Sequence, residues 1–573
     1  MARKRPGADA SGARRARAES RALLLVVFAC GAVLMAFEIV GSRILAPTFG
    51  STVFVWGSLI GVFLGALSLG YALGGRLADR VPSLFLLGAI IAAAGIIVLV
   101  VPFYAPGCCR WVEGSGPGHR WNPLVASLVL FFVPSVLMGM VSPFAVRLQA
   151  RTVATVGNVA GRLYSLSTLG SIAGTLLATF WLVPSYGTSN ITKGLGLTLV
   201  VVAVVAMMPG IRARLAERKA KAAVVGAILL VLAVAILFVP APSFIHLEAD
   251  EKLIFETDSP YQHIGVVLRP WGYGGEEEWS LQLRFDKYIE SEVIMESGDP
   301  ENLRPREPYE SGAKYTDTLH LPFLFNPEAQ DVLIVGGGGG VVPTIFARDY
   351  PQLQRIDVVE IDPDVVEISE RYFGFKPDGK RVNVIVMDGR VYLTHTDHTY
   401  DIIILDAFTG GRPPFHLLTK ECLEAVRNRL SDRGVLHINI ISALEGGRSP
   451  LFWALLKTMV EVFGRESVYV FPKWYDQRWG AGEVRRSGIN IELVAVNFPT
   501  SPSPRPKATL IEDAERLVLK ERKIKVESIL QHVQNHLPIA ELVPAPGGKG
   551  RPEWRRAPIL TDDYAPVDNM VID

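Results

Sequence analysis

Seven stretches of this chain, at 22–48, 52–75, 84–105, 123–146, 160–184, 190–209 and 221–240, are almost wholly apolar. Each is about 20 residues or longer, enough for a helix to cross roughly 30 Å of hydrocarbon. Inside that layer only helices and closed barrels satisfy every backbone N–H and C=O, so runs of this length predict spanning helices. The length of the first stretch, and the six that follow it, argue against a cleaved signal peptide. Charge divides the chain at the same place. Residues 1–240 carry 21 Lys/Arg against 6 Asp/Glu, and the remainder carries 37 against 51, so the overall charge of +1 hides a basic membrane domain and an acidic soluble one.

Basic residues set orientation. Arg3, Lys4, Arg5, Arg14, Arg15, Arg17 and Arg21 precede the first stretch; Arg76 and Arg80, Arg147 and Arg151, and Arg212 to Lys221 follow the second, fourth and sixth. If every stretch crosses, these loops share one side, and the N-terminus is expected in the cytoplasm of a multi-pass plasma (inner) membrane protein. Seven crossings then put the soluble part outside, against the expectation for a cytosolic cofactor, so its side stays open. Gly61, Gly65, Gly70, Gly74 and Gly75 in the second stretch suit close helix packing. Glu38 and Arg43 in the first are read as a buried pair or a snorkelling end before any functional role. Cys30, Cys108, Cys109 and Cys422 give neither a disulfide framework nor metal spacing, and Cys108 and Cys109 are expected in a Gly-rich loop.

From about residue 245 the pattern turns to β. Residues 253–256, 264–268 and 281–285 read as a small sheet. Strands at 332–335, 356–361, 383–387, 402–406 and 434–440 then alternate with helices at 363–372, 417–430 and 451–463. That alternation predicts a doubly wound parallel sheet, with its ligand beyond the carboxyl ends of the strands. The expected division is a basic tail (1–21), a transmembrane domain (22–240), a small β subdomain (245–325) and an α/β domain (326–573).

Chemistry concentrates at those strand ends. Asp331–Val335 runs into five glycines, Gly336 to Gly340, and such a turn lets backbone approach a ligand closely. Twenty residues on, Glu360 ends the next strand, where an acid accepts ribose hydroxyls in nucleotide-binding α/β folds. Asp388 follows the third strand beside Gly389, and Asp406 ends the fourth. Asp388 and Asp406 also suit helix caps or turns. Nothing basic and aromatic points to nucleic acid.

These residues, in this order, resemble spermidine synthase and the wider polyamine aminopropyltransferase family, a branch of the class I methyltransferase-like fold. The resemblance covers roughly residues 250–440. It rests on Ser259-Pro-Tyr-Gln262, Phe285-Asp-Lys-Tyr-Ile-Glu-Ser291, Tyr315-Thr-Asp317, the glycine turn, Val359-Glu-Ile-Asp-Pro363, Met387-Asp-Gly389 and Leu405-Asp406. The helical part is similar to membrane-fused members of that group, through Tyr71–Arg80, Ala160–Gly174 and the C-terminal Leu560-Thr-Asp-Asp-Tyr-Ala-Pro566. The resemblance implies an aminopropyl transfer from decarboxylated S-adenosylmethionine to a small amine such as putrescine, without a metal. It implies that Gly336, Gly338, Gly340, Glu360, Asp388, Gly389 and Gln262 hold the donor. Asp406 would assist deprotonation of the amine, since a protonated amine cannot attack. Tyr261, Tyr315, Asp317, Thr409 and His416 are candidate substrate contacts. A lipid bilayer is the expected partner, and a homodimer stays open.

Three positions depart from the family pattern. Its loop aspartate is Gly339 here, its Tyr-His-Glu segment reads Tyr315-Thr316-Asp317, and its second acid after the catalytic one is Thr409. Losing the loop acid removes a repulsion against the carboxylate of intact S-adenosylmethionine on the order of 1–4 kcal/mol at about 4 Å. A methyltransferase using intact S-adenosylmethionine is therefore the alternative, and a noncatalytic polyamine or nucleoside transporter or sensor a further one. His416, as base or substrate contact, and Asp562 with Asp563, as returning acids or turn caps, are the candidate compensations.

Overall fold

A computed structural model of the chain describes residues 6–118, 120–150, 153–216, 230–271, 278–408, 413–473, 489–498, 504–520, 526–545, 548, 550–565 and 567–570. The chain forms two compact units, Met1–His246 with Asp258–Gln262, and Leu247–Thr257 with His263–Asp573.

The first unit is helical: α1 (Pro6–Phe49), α2 (Val53–Arg80), α3 (Leu84–Ser115), α4 (Asn122–Gly139), α5 (Val141–Gln149), α6 (Val153–Leu177), α7 (Val183–Ser185) and α8 (Thr188–Ala216). Thr52 and Ser83 start α2 and α3 by accepting the N–H of Val55 and Leu86 on their side-chain oxygens, which satisfies donors the first helical turn leaves free. Six segments, Ser20–Phe49, Val53–Arg80, Leu84–Ser115, Asn122–Gln149, Thr155–Ser185 and Thr188–Met207, are long and apolar enough to cross a membrane. The first part of the seventh expected stretch, 221–229, lies outside the described residues; 230–237 are helical, and Ala233 packs with Leu99 and Val200.

The basic stretch before the first span is helical back to Pro6. Two expectations for this unit are corrected. Cys108 and Cys109 lie within α3, because the helix passes Pro102 and Pro106 and ends only at Ser115. Of the five glycines expected to pack closely in α2, only Gly70 and Gly74 meet a neighbouring helix: a Cβ would come within 2.4 Å of the Val136 carbonyl and 2.6 Å of the Met140 Cα, respectively. Gly61, Gly65 and Gly75 have nothing within 4 Å of a Cβ. Arg43 donates to the Ser259 carbonyl, a structural contact within this unit.

The second unit opens with a four-stranded sheet, β1 (Lys252–Asp258), β2 (His263–Trp271), β3 (Glu278–Phe285) and β4 (Tyr288–Met295), in that order. The expected three strands are present, and β4 adds a fourth. Asp286, at φ 55°, turns the β3–β4 hairpin, a conformation that Asp tolerates better than most residues. Ser291 pairs with Leu283 and Ile289 with Arg284. Glu290 is thus an extra residue, a β-bulge.

The larger sheet contains β5 (Asp331–Val335), β6 (Arg355–Glu360), β7 (Val382–Val386), β8 (Tyr400–Leu405), β9 (Leu430–Ser442), β10 (Val468–Pro472) and β11 (Ile489–Val496), in the order β10-β11-β9-β8-β5-β6-β7. β9, β8, β5, β6 and β7 run parallel, and β11 and β10 are appended antiparallel. Helices α9 (Val341–Asp349), α10 (Pro363–Tyr372), α11 (Gly389–His395), α12 (Lys420–Arg429) and α13 (Pro450–Phe463) follow β5 to β9. Leu333, Val335, Ile403 and Leu405 join the core on one face, and Val332, Ile334, Ile402 and Ile404 the core on the other. Strands covered on both faces explain the continuous apolar runs. The fold is an all-helical N-terminal region followed by a small β-sheet and a methyltransferase-like α/β domain.

Candidate active site

The chain leaves β5 toward β6 on one side and later returns to β8 on the other, which opens a crevice at the carboxyl ends of these two strands. Gly336 stands there at φ 101°. A Cβ on it would fall 2.4 Å from the Asp406 carbonyl oxygen, so only glycine lets the two strand ends close up. Gly338 and Gly340 also have positive φ, at 48° and 67°. The backbone pins the crevice from both sides: Gly336 N–H donates to the Val359 carbonyl and Asp406 N–H to the Val335 carbonyl, each at 2.9 Å.

Glu360 ends β6 with its carboxylate against the turn. Oε2 accepts from Gly337 N–H at 2.8 Å and Oε1 from Asp362 N–H at 3.0 Å. Burial raises its pKa, and those bonds oppose the rise. At the neighbouring strand end, the Asp406 carboxylate accepts one hydrogen bond, from Asn439 Nδ2 on β9 at 2.9 Å. Asn490 on β11 donates to Asn439 Oδ1 at 3.0 Å and so orients that amide. Burial, helped by the charge of Glu492 and opposed by the Asn439 bond, pushes Asp406 up to about 7. A carboxyl poised there suits proton transfer at neutral pH.

Beneath Asp406 lies a sealed polar pair. His437 Nε2 and Glu492 Oε2 are 2.9 Å apart with both side chains fully buried, and Thr318 Oγ1 donates to Glu492 Oε1 at 2.9 Å. On the other wall, Gly339 N–H donates to Ser291 Oγ at 2.9 Å, which ties β4 to the glycine turn. Beside Ser291, Glu290 is pushed up to about 8 by burial and by the charges of Asp406, Asp286 and Glu360.

The other expected residues are placed as follows. Asp388 serves both readings: Oδ1 caps α11 by accepting from Val391 N–H at 3.0 Å, and Oδ2 lies 3.2 Å from His416 Nε2. His416 therefore attends Asp388, and no hydrogen bond joins it to Asp406. A Cβ on Gly389 would reach within 2.4 Å of Val335 Cγ1, so this glycine lets α11 start against β5. Tyr315 donates its hydroxyl to the Glu290 carbonyl at 2.9 Å. Asp317 lies in the same 3₁₀ segment (Lys314–Leu324), half-buried and electrostatically coupled to His320. Tyr261 and buried Gln262 sit in the turn Asp258–Gln262 that groups with the helical unit, where Gln262 N–H donates to Ser259 Oγ. Thr409 lies outside the described residues. Asp562 accepts from Arg390 at 2.9 and 2.7 Å and from Thr419 at 2.7 Å, while Asp563 is exposed. Arg390 holds the Asp562 carboxyl below its ordinary range. Asp562 thus ties the C-terminal turn to α11 and α12.

Sequence reasoning passed over Glu290, Ser291, Asn439, Asn490 and Glu492. One signal was available for three of them. His437 and Asn439 alternate within an apolar strand, as do Asn490 and Glu492, and alternation places each pair on one face.

A glycine turn and acids at successive strand ends of an open parallel sheet are the arrangement of a methyltransferase-like α/β fold, with its crevice beyond the strand ends. Residues 313–472 match the family model described as spermine/spermidine synthase domain. The polyamine aminopropyltransferase of Vibrio vulnificus is 45% identical over 153 residues, covering 26% of this chain and 49% of that protein. That of Nitrosomonas europaea is 25% identical over 252 residues, covering 43% and 70%. That of Clostridium beijerinckii is 31% identical over 180 residues, covering 28% and 63%. The chain thus spans about half the length of the first relative and about two thirds of the next two. The α/β part of the chain is thus similar to spermidine synthases.

Proposed function

We propose that the α/β unit transfers an aminopropyl group from decarboxylated S-adenosylmethionine to a small amine such as putrescine, and that the helical unit holds the protein in a lipid bilayer. The observation that carries this reading is Asp406: a buried carboxyl near 7, fixed by Asn439 at the end of β8 and within backbone contact of the glycine turn.

In this reading Glu360 takes the ribose hydroxyls, Asp388 the adenine, and Gly336, Gly338, Gly340 and Gly389 leave room for the donor's backbone contacts. Tyr315, Asp317, Thr409 and His416 are assigned to the amine side. The amine nitrogen attacks the methylene carbon next to the sulfonium. A C–N bond forms, the C–S bond breaks, the electron pair goes to sulfur, and the amine proton passes to the Asp406 carboxylate. No charge has to be created on the leaving thioether, so alignment and proton removal carry the catalysis. The basic ends of the helices favour a cytoplasmic N-terminus.

Asp406→Asn tests the reading. Removing a general base typically costs about 10²- to 10⁴-fold in rate, and donor affinity measured by calorimetry should stay within a few-fold of wild type. Turnover unchanged by the substitution would remove Asp406 from the chemistry.

A further inference from the structure

The acids around the crevice differ in what already engages them. Glu360 accepts from Gly337 and Asp362, Asp406 from Asn439, Asp388 from Val391, and Asp286 Oδ1 from His263 N–H at 3.3 Å. Glu290 is different. The hydrogen bond at this residue, from the Tyr315 hydroxyl, ends on its backbone carbonyl, and among the described residues no donor reaches its carboxylate. Glu290 is half-buried, so its carboxylate keeps only part of its contact with water and no protein donor replaces the rest, a shortfall that a cationic ligand would make good.

The backbone decides where this group points. Glu290 is the extra residue of the β4 bulge, a device that re-aims a side chain out of the strand's alternation. Its neighbour Ser291 is fixed to the glycine turn through Gly339 N–H. The turn itself is tight for an acid: a Cβ on Gly339 would meet Ser291 Cβ at 3.0 Å and the Phe373 ring at 3.1 Å, so both neighbours would have to give by a few tenths of an ångström. The charges that act on Glu290 are Asp406, Asp286 and Glu360, so it lies within electrostatic range of both the acid assigned to the ribose and the acid assigned to the attacking amine. In a sulfonium donor, the alkyl arm occupies the stretch between ribose and acceptor.

We propose that Glu290 is the donor-selecting residue, its carboxylate holding the ammonium of an aminopropyl arm and gaining less from intact S-adenosylmethionine, whose arm also carries a carboxylate. The assignment rests on the sulfonium-donor reading above. It turns the bare glycine turn from an argument for methyl transfer into a relocation of the selecting charge onto β4. A second consequence follows from the protonation state. With its carboxyl near 8, Glu290 holds a proton at pH 7 in the empty site. A bound ammonium favours the ionised form, so the cationic donor displaces that proton on binding.

Calorimetry on the full chain in detergent tests this, with decarboxylated and intact S-adenosylmethionine as the two probes, repeated in buffers of different ionisation enthalpy. Wild type should prefer the decarboxylated form by at least about tenfold and release a proton as it binds, a preference worth about 1.4 kcal/mol. Glu290→Gln should cut the preference about tenfold and abolish the release, and Glu290→Asp should keep a clear preference. Comparing two donors within one variant cancels any general weakening. An unchanged ratio and proton release in Glu290→Gln would overturn the role of Glu290 alone. Wild type binding neither donor would overturn the sulfonium-donor reading, and this proposal with it.

Discussion

Asn439 gives the sharpest handle on the site, because among the described residues it makes the one direct hydrogen bond to the Asp406 carboxylate and that bond favours the charged form. Asn439→Leu keeps the number and branching of the side-chain heavy atoms and adds bulk, so water cannot easily take the place of the amide. A hydrogen bond to a charged group is worth about 1.5–3 kcal/mol, and one pKa unit corresponds to about 1.4 kcal/mol. Losing the bond should therefore raise Asp406 by about one to two units, from about 7 to about 8–9. The direction is fixed: removing a donor to the anion favours the protonated acid. At pH 7 the ionised fraction falls from about half to between about a tenth and a hundredth, so kcat/KM should drop about 5- to 50-fold.

The assay is the pH profile of kcat/KM, which reports the free enzyme. Glu290, near 8, titrates together with Asp406, so the acid limb belongs to the pair, and it is the difference between wild type and variant that isolates Asn439. The variant limb should move to higher pH, with activity recovered above about pH 9. Superimposable profiles, or a loss independent of pH, would refute the idea that Asn439 acts by setting the charge of Asp406. Asn490→Ala should shift the limb in the same direction but less, since Asn490 only orients the amide.

Two further outcomes follow from the same geometry. Asp406 is raised from 3.8 to about 7, so above pH 4 the unfolded chain binds fewer protons than the native one, and native stability falls as pH rises toward 7. Asp406→Asn should therefore stabilise the fold at pH 8, by up to about 4 kcal/mol, and leave it unchanged at pH 4, as read from chemical denaturation at the two pH values. Gly336→Ala places a methyl 2.4 Å from the Asp406 carbonyl at φ 101°. Donor binding should be lost together with about 1–3 kcal/mol or more of stability, and an unperturbed affinity would show that the strand ends can part without consequence.

What could be read from the sequence was what is local in it. Glu360, Asp388 and Asp406 each end or follow an apolar run, so strand and acid are seen together, and α10 falls on its expected residues, 363–372, because Asp362 caps it and Pro363 opens it. Helices α9 and α11 went unread because each starts within a residue or two of a strand-end motif and runs only 9 and 7 residues. The hairpin turn at Asp286–Lys287 hid β4, and with it Glu290, whose bulge exists only relative to β3. His416 shows the same limit in reverse: its position in the loop after β8 suggested Asp406, whereas the fold delivers it to Asp388 on the neighbouring β7–α11 turn.

The largest part that could not be read is the appended pair β10 and β11, and its register explains why it matters. Glu492 pairs with Asn439 and Val494 with His437, so the polar residues of β11 interleave with those of β9 under the end of β8. Glu492 takes the fully buried His437, Asn490 takes Asn439, and Asn439 takes Asp406. A slip of one residue would turn Asn490 and Glu492 to the opposite face and leave His437 and Asn439 without these partners. The antiparallel strands therefore do more than close the sheet: they hold one buried charge near Asp406, which raises its pKa, and one amide against it, which lowers it. These opposed influences come from β11 and β9, more than thirty residues beyond Asp406 in the chain. That separation is why a motif can locate the proposed catalytic acid but cannot say at what pH it would work.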